Sequence, residues 1–238
     1  MRGQLPPRLE TLYEAYQCFR GNYLLQGPRL TQKWLQITGS SGTVDDQITR
    51  KTICAAWRGA NVESDVTRAI FLTMFWGYGP IRFGRRNTRL ALESISDGKW
   101  VQLLQIRDQA CSDALRALKE LSALRIKGLG VAFETKILYG MTGSIPILDR
   151  HTRRWLTYHG FDEVHQAITD FTAFDSYFKI CSSWANSPIG KGDSVIGDPC
   201  LIEYLMFWDA KRGQSRTVKE APTWLTNTEP WGRQNLAS

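Results

Sequence analysis

Leu124-Arg125-Ile126-Lys127-Gly128-Leu129-Gly130 lies between two stretches of helical periodicity, and its reading decides the fold. Upstream, Leu115, Leu118, Leu121 and Ala123 are among the apolar positions of a helix running to Leu124, with Ser112 read as its N-cap. Downstream, the pattern predicts a helix from Val131 to Met141, so the whole unit covers about 112–141. Two glycines flanking one apolar residue let the chain turn tightly, with positive φ open to either of them. Such a turn presents main-chain N–H groups at the start of the next helix, where the dipole and the unpaired donors both favour a phosphate. Lys127 adds positive charge beside them. A short GxG also serves any helix–helix connection, so a purely structural turn stays open for this stretch alone.

Outward from the hairpin the periodicity is helical almost throughout. Leu9, Leu12, Tyr13, Tyr16 and Phe19 mark one helix face. Pro28 is read in the first turn of a second helix, which reaches Ile37 before the loop Gly39-Ser40-Ser41-Gly42. Helices are expected over Val44 to Trp57 and Val62 to Trp76, the latter central in the core. Gly77-Tyr78-Gly79-Pro80 is read as a break leading into an arginine-rich loop, Arg82, Arg85, Arg86 and Arg89, followed by short helices over Thr88 to Ser96 and Lys99 to Ala110. Further helices are expected over Arg150 to His159, Asp162 to Ala185, and from Asp198 to Gly213. Ile189 to Gly197 reads as a glycine-rich loop, and 214–238 as an irregular tail. With no convincing strand set and no repeat, the fold class is all-α.

Composition narrows the function classes. The chain has 238 residues, 42% apolar and 22% charged, which suits one globular unit over 1–213. No run approaches the ~20 apolar residues a membrane span needs. The segment Met1 to Pro7 lacks a secretory pattern, so an intracellular, cytoplasmic location is expected. A monomer is expected as well. Cys18, Cys54, Cys111, Cys181 and Cys200 form no CxxC pair and read as buried small residues in a reducing compartment. Neither they nor His151, His159 and His165 cluster at ligand spacing, so no metal and no cofactor is expected. Thirty basic against 23 acidic residues give a formal charge of +7, which suits a polyanionic partner.

Nineteen residues after Gly130 stands Asp149, within Ile145-Pro146-Ile147-Leu148-Asp149-Arg150-His151-Thr152. An apolar run here ends in an aspartate just before a helix, which by itself is also what an N-cap requires. Together with the hairpin, this stretch resembles the helix–hairpin–helix DNA glycosylase superfamily, which includes endonuclease III, 3-methyladenine glycosylase and the OGG-type 8-oxoguanine glycosylases. Its signature is a hairpin of the form L-P-G-V-G, a helix, and about twenty residues later V-D-T-H or a close variant. Gly128, Leu129 and Gly130 match the hairpin, Asp149 the catalytic aspartate, and His151 the histidine two residues on. The match is specific over Leu118 to Leu156. Trp76-Gly77-Tyr78-Gly79-Pro80, Phe133-Glu134-Thr135-Lys136 and Ile202-Glu203-Tyr204 with Phe207 look like a compact bacterial OGG-like branch.

The resemblance implies two interlocked helical lobes about a central hairpin, and a double-stranded DNA partner carrying a modified base. Lys127, Gly128, Leu129, Gly130 and Val131 would hold a phosphate, with His151 also on the DNA. An N-glycosidic bond breaks through an oxocarbenium-like sugar, so a carboxylate such as Asp149 stabilises the developing charge and orients water. The target base must also leave the stack for an aromatic or apolar pocket, with a wedge filling the gap. Nine Trp, eight Tyr and ten Phe supply candidates without identifying any.

One position departs from the pattern. Bifunctional members carry a nucleophilic lysine two residues after the second hairpin glycine, and that position here is Ala132. The inference is a monofunctional enzyme that uses water and leaves an abasic site. Lys136, four residues on, shares a helix face with 132, and its side chain leans back toward the helix start. Its amine can therefore reach the place a lysine at 132 would occupy. Pairing of Lys136 with Asp149, with Glu134 or with a phosphate is the preferred reading of the two. Glu134 is read as a solvated first-turn residue and Glu203 as a structural contact. Arg82, Arg85 and Arg86 read either as DNA contacts or as a solvated basic loop. A non-catalytic helix–hairpin–helix DNA-binding protein would need the hairpin but no aspartate, and a structural all-α protein would need neither.

Overall fold

The computed structural model describes residues 5–19, 22–38, 43, 46–79, 82–95, 98–161, 164, 171–189 and 194–214. Eleven α-helices and no strand occur among them. In chain order the helices are α1 (Pro7–Phe19), α2 (Gln32–Thr38), α3 (Arg50–Gly59), α4 (Glu63–Tyr78), α5 (Arg82–Ile95), α6 (Lys99–Ala110), α7 (Ala114–Ala123), α8 (Val131–Thr142), α9 (Arg150–Tyr158), α10 (Phe171–Ala185) and α11 (Pro199–Gln214). The chain divides into two compact units, Asn22–Ile145 and Met1–Gly21 with Pro146–Ser238. No helix among the described residues is long and apolar enough to cross a membrane.

In the Asn22–Ile145 unit, α4 is the central helix. Its run Ala69 to Phe75 is buried on every side, and α3, α5, α6 and α8 all pack against it. An all-round apolar helix of this kind has no solvent face to present. The one hydroxyl in the run, on Thr73, donates to the Ala69 carbonyl and accepts from the Trp57 indole at 3.0 Å. Both halves of a buried polar contact are thereby satisfied.

Three helix starts in this unit differ from expectation, each because a competing hydrogen bond takes up the residues concerned. Pro28 does not open α2. Its carbonyl accepts from the Ile48 N–H at 2.9 Å, and Leu30 donates to the Asp46 carbonyl at 2.8 Å, an extended pairing bridged at Arg29 and Gln47. That pairing delays α2 to Gln32 and α3 to Arg50, where Thr49 caps it. Asp113, not Ser112, caps α7, accepting from the Arg116 N–H at 2.9 Å, while the Ser112 hydroxyl turns back to the Gln109 carbonyl.

The arginine-rich segment is also helical. Gly79, at φ +62, ends α4, and α5 then runs unbroken from 82. Arginine is a good helix former. Gly84 is tolerated inside α5 because a Cβ there would come within 2.5 Å of the Tyr78 ring. The bare Cα lets Tyr78 pack, which offsets the glycine's helix penalty of about 1 kcal/mol.

In the other unit, α11 packs on α1, α9 and α10. The fully buried Asp209 carboxylate accepts from Arg8 Nε of α1 at 3.0 Å and from Trp155 Nε1 of α9 at 2.8 Å. A buried charge held this way has its desolvation offset by pairing. Tyr177 of α10 donates to the Ile147 carbonyl at 2.8 Å, tying α10 to the segment that leads to Asp149. Asp198 caps α11 through the Cys200 N–H. The expected helix start at Asp162 and most of 162–170, His165 included, lie outside the described residues, as does the tail 215–238. Cys18 and Cys111 are exposed rather than buried, while Cys181 and Cys200 are buried.

Candidate active site and DNA-binding hairpin

The hairpin begins where α7 unwinds. Leu124 still donates to the Leu121 and Ser122 carbonyls, Arg125 turns left-handed at φ +47, and Leu129 donates to the Ile126 carbonyl. Positive φ falls on Gly128 (+80) and not on Gly130, whose φ of −134 is extended. Of the two glycines, only the first needs its conformational freedom.

Two contacts with α5, neither legible in the sequence, hold the turn. The Lys127 N–H donates to the Ser94 hydroxyl at 3.1 Å, and Gly128 lies so close to the Asn87 carbonyl that a Cβ would collide with that backbone. Buried Ile126 anchors the middle.

Gly130 is the N-cap residue of α8, and its carbonyl accepts from Phe133 at 2.7 Å and Glu134 at 3.0 Å. The N–H groups of Gly130, Val131 and Ala132 find no acceptor among the described residues, as the first turn of a helix requires. Nothing stands within 4 Å of where a Gly130 Cβ would be, and Lys127 is exposed beside it. The start of α8 is thus open around the Gly130 Cα and its first amides are unpaired, which is what an anion at a helix start needs.

Inside α8 two charged groups are buried. Glu134, read above as solvated, is only 8% exposed. It meets Ser122 of α7, and its Oε2 has no partner among the described residues. Burial pushes its carboxyl above the ordinary range, against a smaller downward pull from the Ser122 hydrogen bond. The expectation failed because Glu134 sits on the α7-facing side of α8, a fact set by packing. Lys136, 7% exposed, reaches back one turn: its Nζ donates to the Ala132 carbonyl at 3.3 Å and lies 5.2 Å from the Phe133 ring centre. Gly77 of α4 makes room, since a Cβ there would meet Phe133 at 2.6 Å and Lys136 Cδ at 2.9 Å.

In the other unit Asp149 heads α9. Its Oδ1 accepts from the His151 N–H at 2.8 Å and the Thr152 N–H at 3.1 Å, while Thr152 Oγ1 accepts from the Asp149 N–H at 3.0 Å. This reciprocal capping box fixes the carboxylate with 8% of the residue exposed. The N-cap role weighed above is therefore real, and it leaves the group preorganised beside two amides. His151 lies edge-on to Phe207 of α11 at 5.3 Å. Burial holds its imidazole below the ordinary value of 6.5; Asp149 pulls it up, and Arg150, Lys211 and Arg154 push it down. It is the neutral ring at neutral pH. Beside Phe207, Trp208 carries the Lys211 ammonium 4.6 Å from its ring centre. In the sequence Trp208 and Lys211 are an aromatic and a basic residue on a mixed helix, with no pattern that sets them apart.

Along α5, Arg86 and Arg89 are exposed and Arg85 is half-buried; the Arg82 side chain lies outside what is described. No group of three or more His, Cys, Asp or Glu among the described residues is placed to hold a metal ion.

An all-helical chain with open amides after a glycine turn and an aspartate-led helix has the build of a helix–hairpin–helix glycosylase. Residues 20–207 match the family described as "Putative 8-oxoguanine DNA glycosylase OGG-like protein", and the chain belongs to that family. No curated protein and no solved structure matches it. DNA is accordingly the substrate class, and base excision the activity at the level of the family.

Proposed function

We propose that this chain is a monofunctional DNA glycosylase that excises a modified base from duplex DNA, with 8-oxoguanine the first candidate and a hypermodified base the second. The observation that carries the reading is Asp149. A carboxylate pinned by two main-chain donors at the start of α9 is held in place before reaction, which is what stabilising a cationic sugar demands. In this reading the N–H groups of Gly130 to Ala132 and the Lys127 ammonium hold a backbone phosphate. Asp149 stabilises the oxocarbenium-like sugar as the bond from C1′ to the base nitrogen breaks, the base leaving with the bond's electron pair. Water then adds to C1′ and gives up a proton, leaving an abasic site. His151, Arg85 and Arg86 take DNA contacts.

Lys136 supports a second reading, because its buried amine lies over the turn that starts at Ala132. One experiment separates the readings. Duplexes each bearing one modified base, 8-oxoguanine first, are incubated with the protein and then heated in alkali, with borohydride in parallel. Abasic sites that break only in alkali, with no trapped adduct, are expected. Asp149→Asn should keep duplex affinity and lower excision by on the order of a hundredfold or more. Equal excision by Asp149→Asn removes the assignment of Asp149. Binding without excision across the panel favours the non-catalytic alternative. A borohydride adduct that Lys136→Ala abolishes makes Lys136 the nucleophile.

A further inference from the structure

Among the described residues no large apolar side chain is more exposed than Phe83, at 61%. Its place on α5 is specific. Phe83, Asn87 and Ser94 are spaced four and then seven residues apart, so they share one edge of the helix. Asn87 and Ser94 are the two residues against which the hairpin turn rests. Phe83 therefore extends the hairpin-bearing edge by one turn, about 6 Å.

The ring is also backed by others. It meets Tyr78 edge-on at 5.5 Å, and Tyr78 lies 4.2 Å from Phe133 at a 30° tilt. The Tyr78 hydroxyl accepts from Asn87 at 2.7 Å, and burial pushes its phenol above the ordinary value of 10. Phe133 is the third residue of α8, directly after the open amides. Three rings thus step from the anion-binding start of α8 out to solvent. Beside Phe83, on the exposed stripe of the same helix, stand Arg86 and Arg89. An apolar ring projecting between a phosphate-binding turn and two arginines suits a stack of bases with charged edges, and the positive charge favours DNA over a protein partner.

We propose that Phe83 enters the duplex and stacks in the space left by the extruded base, supported from behind by Tyr78 and Phe133. This rests on the reading that the hairpin binds duplex DNA. The probe is a duplex with one tetrahydrofuran abasic-site analogue opposite 2-aminopurine, compared with the same duplex fully paired. The parent should bind the gapped duplex more tightly and change the 2-aminopurine fluorescence. Phe83→Ala should lose roughly five- to hundredfold of that preference, the scale of one aromatic–base stack. It should also lose the fluorescence change, and Phe83→Trp should keep both. Lys127→Glu should weaken both duplexes alike, because a phosphate contact reads no gap. Phe83→Ala with the parent's preference and fluorescence change overturns the proposal and leaves the hairpin reading standing. Loss of self-association in Phe83→Ala with unchanged DNA binding would make the ring a contact between copies, and also overturns it. A parent that binds neither duplex overturns the hairpin reading itself.

Discussion

Exchanging each hairpin glycine for alanine should separate folding from binding, because Gly128 and Gly130 look alike in sequence and stand in opposite surroundings. At Gly128, φ is +80 and a Cβ would fall inside the 3.0 Å that real Cβ atoms keep from a neighbour, here the Asn87 carbonyl. The left-handed backbone costs an alanine about 1–2 kcal/mol. Forcing α5 and the turn apart adds about 1–3 kcal/mol, the usual scale of overpacking. The obstacle is backbone and cannot swing aside, so both costs apply. Together they come to about 2–5 kcal/mol, and at roughly 2–4 °C per kcal/mol for a chain of this size the melting temperature should fall by about 4–20 °C. At Gly130, φ is −134 and nothing lies within 4 Å of the added methyl. Gly130→Ala should cost only the change at an N-cap, about 1 kcal/mol. Its methyl projects into the space before the open amides, so duplex affinity should fall while the fold survives. Thermal melts and fluorescence anisotropy on a labelled duplex read the two effects. A Gly128→Ala protein that melts with the parent, or a Gly130→Ala protein that loses as much stability as Gly128→Ala, would refute this division of roles.

Duplex affinity should fall steeply with salt, and Lys127→Glu should weaken binding to all sequences alike and flatten the log–log salt slope by roughly one ion or more; an unchanged slope in a titration from low to moderate salt sets Lys127 apart from the phosphate. For Glu134, burial raises the folded-state value above the ordinary 4.5. The folded state then binds the proton more tightly than the unfolded chain, so stability falls as pH rises from 4.5 through the raised folded value. Once ionised, the group stays buried with Oε2 unpartnered among the described residues. Glu134→Gln keeps the contact with Ser122 and should stabilise the protein at neutral pH by about 1–3 kcal/mol. Melting curves across pH should lose their decline above 4.5, and a glutamine variant melting at or below the parent refutes the buried-charge account.

What the sequence determined by itself is local. The helical period runs through nearly every segment and specified an all-α chain, because a buried stripe at 3.6-residue spacing depends only on neighbours one and two turns away. The turn at 124–130 and the aspartate at the head of α9 were legible for the same reason: a tight turn and a helix cap involve a handful of consecutive residues. Even the reach of Lys136 back to Ala132 follows from helix geometry alone.

The failures are where contacts between distant segments decide. Pro28 was drawn out of α2 by a pairing with residues 46–48, and Gly84 sits inside α5 with the Tyr78 ring packed where its Cβ would stand. Glu134 looks like any first-turn carboxylate until α7 covers it. Gly128 and Gly130 differ in backbone conformation and in the Asn87 carbonyl, 41 residues upstream of Gly128, that stands against the first alone. Phe83, Tyr78 and Phe133 form one ladder only after α4, α5 and α8 have packed. Burial, satisfaction of polar atoms and the room for a methyl group are properties of the packed interior, where every atom's neighbours come from several helices at once, so no single segment carries them.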